Sequence, residues 1–163
     1  MTVAVIWHYW LAVALTIPAI LLVVGTLVLF QRTPPWADFM PGADVSADTT
    51  QTTAAEKQAI DDAGLGLFFA IDPTDGSTGR DRLAGLPASL SGKSFADADI
   101  RMAFVSYAKY VALNFKPAYM ALGVEMNLSY GKNKDDIENF ESLYAEVYDA
   151  VKAQAGKIEL QGF

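Results

Sequence analysis

The sequence predicts a single N-terminal transmembrane helix over residues 1–32, a linker over 33–52, and a small α/β domain over 53–163. Three observations predict this fold class. From Val3 to Phe30 the chain carries no Asp, Glu, Lys or Arg. Residues 33–52 are rich in Pro, Asp, Thr and Ala and lack apolar periodicity. From Leu65 onward, apolar runs and helical patterns follow in the order β-α-β-α, which indicates parallel strands.

The N-terminal apolar run has the length of a membrane span. A helix needs about 20 apolar residues to cross the hydrocarbon layer, and Leu11–Phe30 supplies them. A cleaved signal peptide would show a basic start and a small-residue cleavage site, and neither is convincing here. We therefore expect a single-pass membrane protein with a periplasmic C-terminal domain. The predicted membrane-interface residues, aromatic or basic, are Trp7, Tyr9, Trp10, Arg32 and Trp36.

His8 is the only histidine of the chain. Ala4 and His8 lie one helical turn apart, and this spacing resembles the Ala-x-x-x-His element by which antenna polypeptides ligate bacteriochlorophyll. His8 is therefore a candidate cofactor-binding residue, and the span would then contact bacteriochlorophyll, carotenoid or lipid. The alternative is a histidine hydrogen-bonded to headgroups or water at the membrane surface. No cofactor of the C-terminal domain is expected.

The C-terminal domain is predicted element by element. Thr53-Ala54-Ala55-Glu56 has the form of a capping box that opens a short helix. Leu65–Ile71 is a continuous apolar run, as in strands that are buried on both faces. A loop rich in glycine and proline follows, and a helix from Asp97 ends before Lys116-Pro117.

The second half of the domain repeats this order. Residues 118–124 form an apolar run that predicts a strand, and Glu125 follows it directly. Asn133 caps a helix with an apolar stripe that ends at Gly156. Lys157–Phe163 is predicted to be either a third strand or a docked tail.

Composition excludes several classes of function. The chain has 12 basic and 19 acidic residues, so it lacks the positive charge that binding of nucleic acid requires. The absence of cysteine excludes disulfides and thiolate metal sites. No His, Asp and Glu cluster has metal-ligand spacing, and no Ser/His/Asp set is expected because the single histidine lies in the predicted span.

Residues 65–152 resemble part of the (β/α)8 glycoside hydrolases of the endo-galactanase type. The resemblance rests above all on Leu122-Gly123-Val124-Glu125-Met126-Asn127, supported by Phe69-Ala70-Ile71-Asp72-Pro73 and by residues 135–144. It implies a partial TIM-barrel-like domain with Glu125 at the position of the general acid/base. Val124 stands where the family has Asn. Asp72, at the end of the neighbouring strand, is the only local candidate for a second carboxylate.

Two functions are compatible with this sequence. The first is a non-catalytic accessory subunit that stabilises a larger membrane complex, with other membrane subunits and the lipid bilayer as partners; a bacterial photosynthetic reaction centre with its antenna is one candidate. We expect no enzyme activity, because the chain offers two or three of the eight barrel strands. The alternative is a membrane-anchored glycan-binding or glycoside-hydrolase-related protein that uses Glu125 and Asp72.

Overall fold

Four parallel strands form one sheet in the order β1-β2-β3-β4. The computed structural model describes the backbone of residues 27–155 and 159–161. The strands are β1 (Leu27–Arg32), β2 (Gly66–Ile71), β3 (Tyr119–Ala121) and β4 (Glu159–Gln161). Each strand pairs in parallel with the next one along the chain. The predicted parallel β-α-β arrangement is confirmed, and the third-strand reading of the C-terminal segment is the correct one.

The predicted transmembrane helix is wrong. Leu27–Arg32, the last part of the expected span, forms β1 and pairs with β2 from Leu27–Gly66 to Arg32–Ile71. Within the described ranges, no helix combines the length and the apolar character that crossing a bilayer requires. This finding also corrects the expected single-pass membrane location. A short apolar run fits a buried strand as well as a helix, and here pairing with β2 decided the outcome. Residues 1–26 lie outside the described part.

Two helices lie between β1 and β2. The short α1 (Trp36–Phe39) and the start of α2 (Ala47–Asp62) fall in the range expected to be a linker. The capping box predicted at Thr53 does not open α2. Instead the Ser46 hydroxyl oxygen accepts a hydrogen bond from the Thr49 N–H at 3.2 Å, so the helix begins almost two turns earlier.

The helices predicted to begin at Asp97 and at Asn133 are confirmed. They are α3 (Ala98–Asn114) and α5 (Lys134–Ala155), and the five-residue α4 (Met126–Tyr130) lies between β3 and α5. Along the chain, each new strand lies on the same side of the strand before it. Right-handed crossovers between such strands place the connecting helices on the same face of the sheet. The contacts of α3 with α1, α2 and α5 agree with a single helical layer.

The hydrophobic core lies between the sheet and this helical layer. Leu67, Phe69 and Ile71 alternate along β2 and are all buried. On the helical side, Phe95, Phe104 and Phe140 form an aromatic cluster with ring centroids 4.7 to 6.4 Å apart. This core holds the strands in place, so the loops that follow β2 and β3 project from a rigid edge.

Candidate functional site

The two carboxylates predicted from the sequence lie at the same edge of the sheet. Asp72 directly follows β2, and Glu125 follows β3 by four residues. Because β2 and β3 are parallel neighbours, their carboxyl ends are adjacent. The Asp72 side chain is buried, whereas the Glu125 side chain remains 59% exposed. One carboxylate is thus part of the scaffold and the other faces solvent.

Arg80 joins the two carboxylates. Its Nη1 donates to Asp72 Oδ1 at 2.6 Å and to Thr74 Oγ1 at 2.9 Å. On the other side, Nε and Nη2 lie 3.0 and 2.9 Å from Glu125 Oε2. Gln31 of β1 completes the group, since its Nε2 donates to Asp72 Oδ2 at 2.8 Å. The candidate site therefore consists of Gln31, Asp72, Thr74, Arg80 and Glu125.

Burial of the Arg80 guanidinium alone would lower its pKa. Hydrogen bonds and charge interactions with Asp72 and Glu125 outweigh this effect, so the pKa of Arg80 is raised above its ordinary value. The guanidinium stays charged, and its five N–H donors are directed at fixed acceptors. Both contacts between Arg80 and Glu125 are made to Oε2, so Arg80 leaves Glu125 Oε1 uncontacted. That oxygen can accept a hydrogen bond from a ligand hydroxyl.

Backbone strain accompanies this geometry. Arg80 and Glu125 both have positive φ, at 66° and 50°, in the left-handed region that non-glycine residues seldom adopt. Such conformations cost on the order of 1–3 kcal/mol each and persist where the surroundings enforce them. At both positions the side chain of the strained residue takes part in the same ion pair. Two of the three non-glycine residues with positive φ in the described part of the chain thus lie at the bridge between the two carboxylates, and the third is Lys116.

Sequence reasoning missed Gln31, Thr74 and Arg80. Gln31 was assigned to the end of a membrane span, although it lies on β1. Arg80 lies in the loop between β2 and α3, and its partner Glu125 is 45 positions away. No local pattern signals a pairing over that separation. The only signal in the sequence is indirect: a carboxylate that is buried after a strand, such as Asp72, requires a cation as its partner.

The other predicted site residues, where the structure describes them, take no part in the Arg80 bridge. Trp7, His8, Tyr9 and Trp10 lie outside the described residues. Trp36 is buried in the core, where its indole Nε1 donates to the Ala84 carbonyl oxygen at 2.7 Å, instead of lying at a membrane surface. Arg32 ends β1 and forms an ion pair with Glu56 of α2. Within the described ranges, no group of three His, Asp or Glu side chains is arranged to hold a metal ion.

A polar cavity of about 600 Å³ adjoins this edge, between the loop after β2 and the start of α5. Its wall includes Asp136, whose Oδ1 accepts a hydrogen bond from the Phe95 N–H at 2.8 Å. Burial raises the pKa of Asp136 above 3.8, although hydrogen bonds from Ser94 and from the Phe95 amide lower it in part. The ionised form of Asp136 is therefore disfavoured in the folded protein.

Replacement of this residue, Asp136→Asn, is expected to change the pH dependence of stability. Because the pKa of Asp136 is raised in the folded state, its protonated side chain stabilises the native state, and this stabilisation is complete below pH 3.8. The stabilisation declines as the pH rises through the folded-state pKa of Asp136. The stability of the wild type relative to Asp136→Asn should therefore fall on going from about pH 3 to pH 7. Urea unfolding of both proteins across this range measures the difference. A relative stability that rises with pH would contradict the assignment.

Comparisons with known proteins identify the fold. No protein-family profile matches the chain, and no curated protein is significantly similar to it. Among solved structures, a variant of GH5_18 from Bifidobacterium longum subsp. longum in complex with Manb1-4GlcNAc is similar, with a TM-score of 0.57 and 11% identity. The match covers 83% of this chain and 34% of that chain. Our chain therefore spans about a third of the length of its structural neighbour.

At 11% identity this likeness shows the fold alone. The resemblance to glycoside hydrolases of the (β/α)8 type is confirmed at that level, while the endo-galactanase type is not tested. The suggested photosynthetic reaction centre and antenna find no support, because the described part contains no membrane-spanning helix and the structural likeness is to a glycoside hydrolase. The described chain has the fold of part of a glycoside-hydrolase-like (β/α) barrel.

Proposed function

We propose that this protein binds neutral oligosaccharides at the carboxyl edge of its sheet, through Glu125. The observation that carries the proposal is the exposed Glu125 carboxylate, which Arg80 contacts through Oε2 and not through Oε1. A fixed carboxylate is a strong acceptor for sugar hydroxyls, since hydrogen bonds to charged groups exceed those between neutral groups. Two features support a glycan ligand: the resemblance around Glu125, and a structural neighbour solved with a disaccharide.

Binding without cleavage is the activity we propose for the chain. Hydrolysis by glycosidases needs two carboxyl groups, one of which carries a proton and donates it to the leaving oxygen. Here a single guanidinium contacts both Asp72 and Glu125, so the same cation engages the two carboxylates. Asp72 is also buried and bonded to Gln31, so it is poorly placed to attack a sugar.

Replacement of the exposed carboxylate, Glu125→Gln, is expected to weaken oligosaccharide binding at least about 10-fold, because a charged hydrogen bond contributes about 1.5 kcal/mol or more. Isothermal titration calorimetry with a panel of neutral oligosaccharides, including Manb1-4GlcNAc, measures the affinity. Glu141→Gln, on the exposed surface of α5, is the matched control and should bind as the wild type does. Equal affinities for wild type and Glu125→Gln would refute a role for this carboxylate. Release of new reducing ends by the wild type would refute binding without cleavage.

A non-catalytic structural subunit is the second candidate function. The observation in its favour is the open sheet: within the described residues, the outer edges of β1 and β4 pair with no further strand. Exposed edges of this kind recruit other chains. This candidate predicts that Glu125→Gln leaves the assembly unchanged, and that no oligosaccharide binds. A membrane anchor is not part of this candidate function.

A further inference from the structure

Arg80 lies in a short loop whose two ends are paired with each other. Thr74, shortly after β2, and Leu83 form an isolated antiparallel bridge. Beside this bridge, the Asp75 N–H donates to the Arg82 carbonyl oxygen at 2.9 Å. We call residues 74–83 the Arg80 loop. Because its ends are joined, contacts inside the loop decide the path of the backbone between them.

Asp75 is the centre of these inner contacts. Its carbonyl oxygen accepts hydrogen bonds from the Thr78 N–H at 3.2 Å, the Thr78 hydroxyl at 3.0 Å and the Arg80 N–H at 2.8 Å. Its carboxylate Oδ1 accepts from the N–H and the hydroxyl of Ser77 at 2.9 and 2.6 Å. Its Oδ2 accepts from Nε and Nη2 of Arg82 at 3.3 and 3.1 Å. One residue thus joins the parts of the loop before and after Arg80.

These contacts bear directly on the backbone of Arg80. Gly79 and Arg80 are consecutive residues in the left-handed region, with φ of 75° and 66°. An arginine seldom adopts this conformation unless its surroundings enforce it. The hydrogen bond from the Arg80 N–H to the Asp75 carbonyl oxygen spans this turn. The left-handed backbone determines the direction in which the Arg80 side chain leaves the loop, toward Asp72 and Glu125.

The segment after β3 holds the Arg80 loop from outside. Lys132, which follows α4, donates from Nζ to the Thr78 carbonyl oxygen at 3.2 Å. Its ammonium group also lies against Gly79, where the Cβ of any other residue would clash with it. The segment therefore contacts the Arg80 loop at two points, through Glu125 and through Lys132. Both contacts require the loop conformation that Asp75 supports.

We infer that Asp75 is a positioning residue of the proposed oligosaccharide site. It holds Arg80 in the backbone conformation from which Nε and Nη2 reach Glu125 Oε2, so the exposed carboxylate is presented in one orientation. Asp75 acts through Arg80 and does not need to touch the ligand. Such preorganisation favours binding, because a group that is already held in place loses little freedom when the ligand arrives. The inference rests on the proposed function, in which Glu125 binds the ligand.

Nuclear magnetic resonance of the Arg80 side chain in the full chain is the direct test. The Arg80 Nε–H donates to Glu125 Oε2, so its hydrogen exchange reports on that contact without any ligand. The signal is assigned by its absence from the spectrum of Arg80→Met. In Asp75→Ala we expect this Nε–H to exchange at least about 10-fold faster than in the wild type, because it loses the protection of an ordered hydrogen bond.

A conservative variant and a matched control show whether the carboxylate of Asp75 is responsible. Asp75→Asn keeps one oxygen as acceptor for Ser77 and should restore part of the protection. Asp81→Ala, at an exposed acidic position of the same loop, should leave the exchange of the Arg80 Nε–H unchanged. An unchanged exchange rate in folded Asp75→Ala overturns the inference, and so does equal acceleration by Asp75→Ala and Asp81→Ala.

A further variant keeps the test decisive if circular dichroism shows that Asp75→Ala has not folded. Ser77→Ala removes the hydroxyl that donates to Asp75 Oδ1. It should accelerate the exchange of the Arg80 Nε–H about 3-fold, because one of the hydrogen bonds that hold the loop is lost. An unchanged rate in folded Ser77→Ala then overturns the inference.

Oligosaccharide affinity separates this inference from the proposed function. By isothermal titration calorimetry, Asp75→Ala should bind about 5-fold more weakly than the wild type, the effect of losing one hydrogen bond of average strength. In the Arg80→Met background the same substitution should change the affinity no further, because it acts through Arg80. Equal losses in both backgrounds overturn the inference. If the wild type binds no oligosaccharide while Asp75→Ala still accelerates the exchange, the proposed function fails and the positioning of Arg80 by Asp75 stands.

Discussion

Replacing Phe104 by alanine is expected to lower the free energy of unfolding by about 4 kcal/mol, within the range found for large-to-small changes of buried aromatic residues. Phe104 is fully buried and lies at the centre of the aromatic cluster. Its ring centroid is 6.4 Å from that of Phe95, 5.9 Å from that of Phe140 and 6.1 Å from that of Trp36. Alanine would leave a cavity among three rings, which belong to α1, to the loop before α3 and to α5.

Chemical denaturation monitored by circular dichroism measures this effect. The loss is a large share of the 5–15 kcal/mol by which most native domains are stable. Met102→Ala is the matched control on the same helix, since that side chain is 51% exposed and should change stability little. Similar losses in the two variants would mean that the aromatic cluster is not the centre of the core.

Replacing Arg80 by methionine is expected to lower the free energy of unfolding by about 3 kcal/mol, because removal of the guanidinium leaves the buried charge of Asp72 uncompensated. Arg80 and Asp72 are both buried, and their ion pair measures 2.6 Å. Methionine retains most of the apolar length of the arginine, so the loss reports on the charge more than on packing. Asp72 would keep only Gln31 and a long contact with Thr74 as side-chain donors.

A second substitution separates this electrostatic cost from a packing defect. In the double variant with Asp72→Asn, part of the stability should return, because the buried carboxylate is no longer charged. Arg82→Met is the control: Arg82 is 65% exposed in its pair with Asp75, and surface pairs contribute little. Denaturation of the wild type, the single variants Arg80→Met and Asp72→Asn, and the double variant completes the cycle. If Arg80→Met lowers the free energy of unfolding no more than Arg82→Met does, the contacts of Arg80 with Asp72 and Glu125 do not stabilise the fold.

The elements with clear local signals could be predicted from the sequence. The helix that ends before Lys116-Pro117 and the helix that follows Asn133 agree with α3 and α5. The apolar run before Asp72 agrees with β2, and the run before Glu125 agrees in part with β3. Each of these signals is local, because capping residues, prolines and periodic apolar positions act over a few residues.

Predictions failed where a local signal fits two structures. Leu27–Arg32 lies in a long uncharged run, and such a run does not distinguish a membrane helix from a buried strand. The start of α2 was placed at Thr53 because a capping box is found there, yet Ser46 provides an earlier cap. Asp38 favours this earlier start, since its Oδ2 accepts a hydrogen bond from the Ser46 hydroxyl at 2.7 Å.

The sequence by itself determined the parallel order of β2 and β3, and with it the shared edge where Asp72 and Glu125 lie. Both carboxylates follow apolar runs, and parallel strands bring their carboxyl ends together. Only the tertiary structure decided that Arg80 bridges them and that β1 extends the sheet. These features depend on contacts between residues far apart along the chain, which form when the core packs and which no local pattern records.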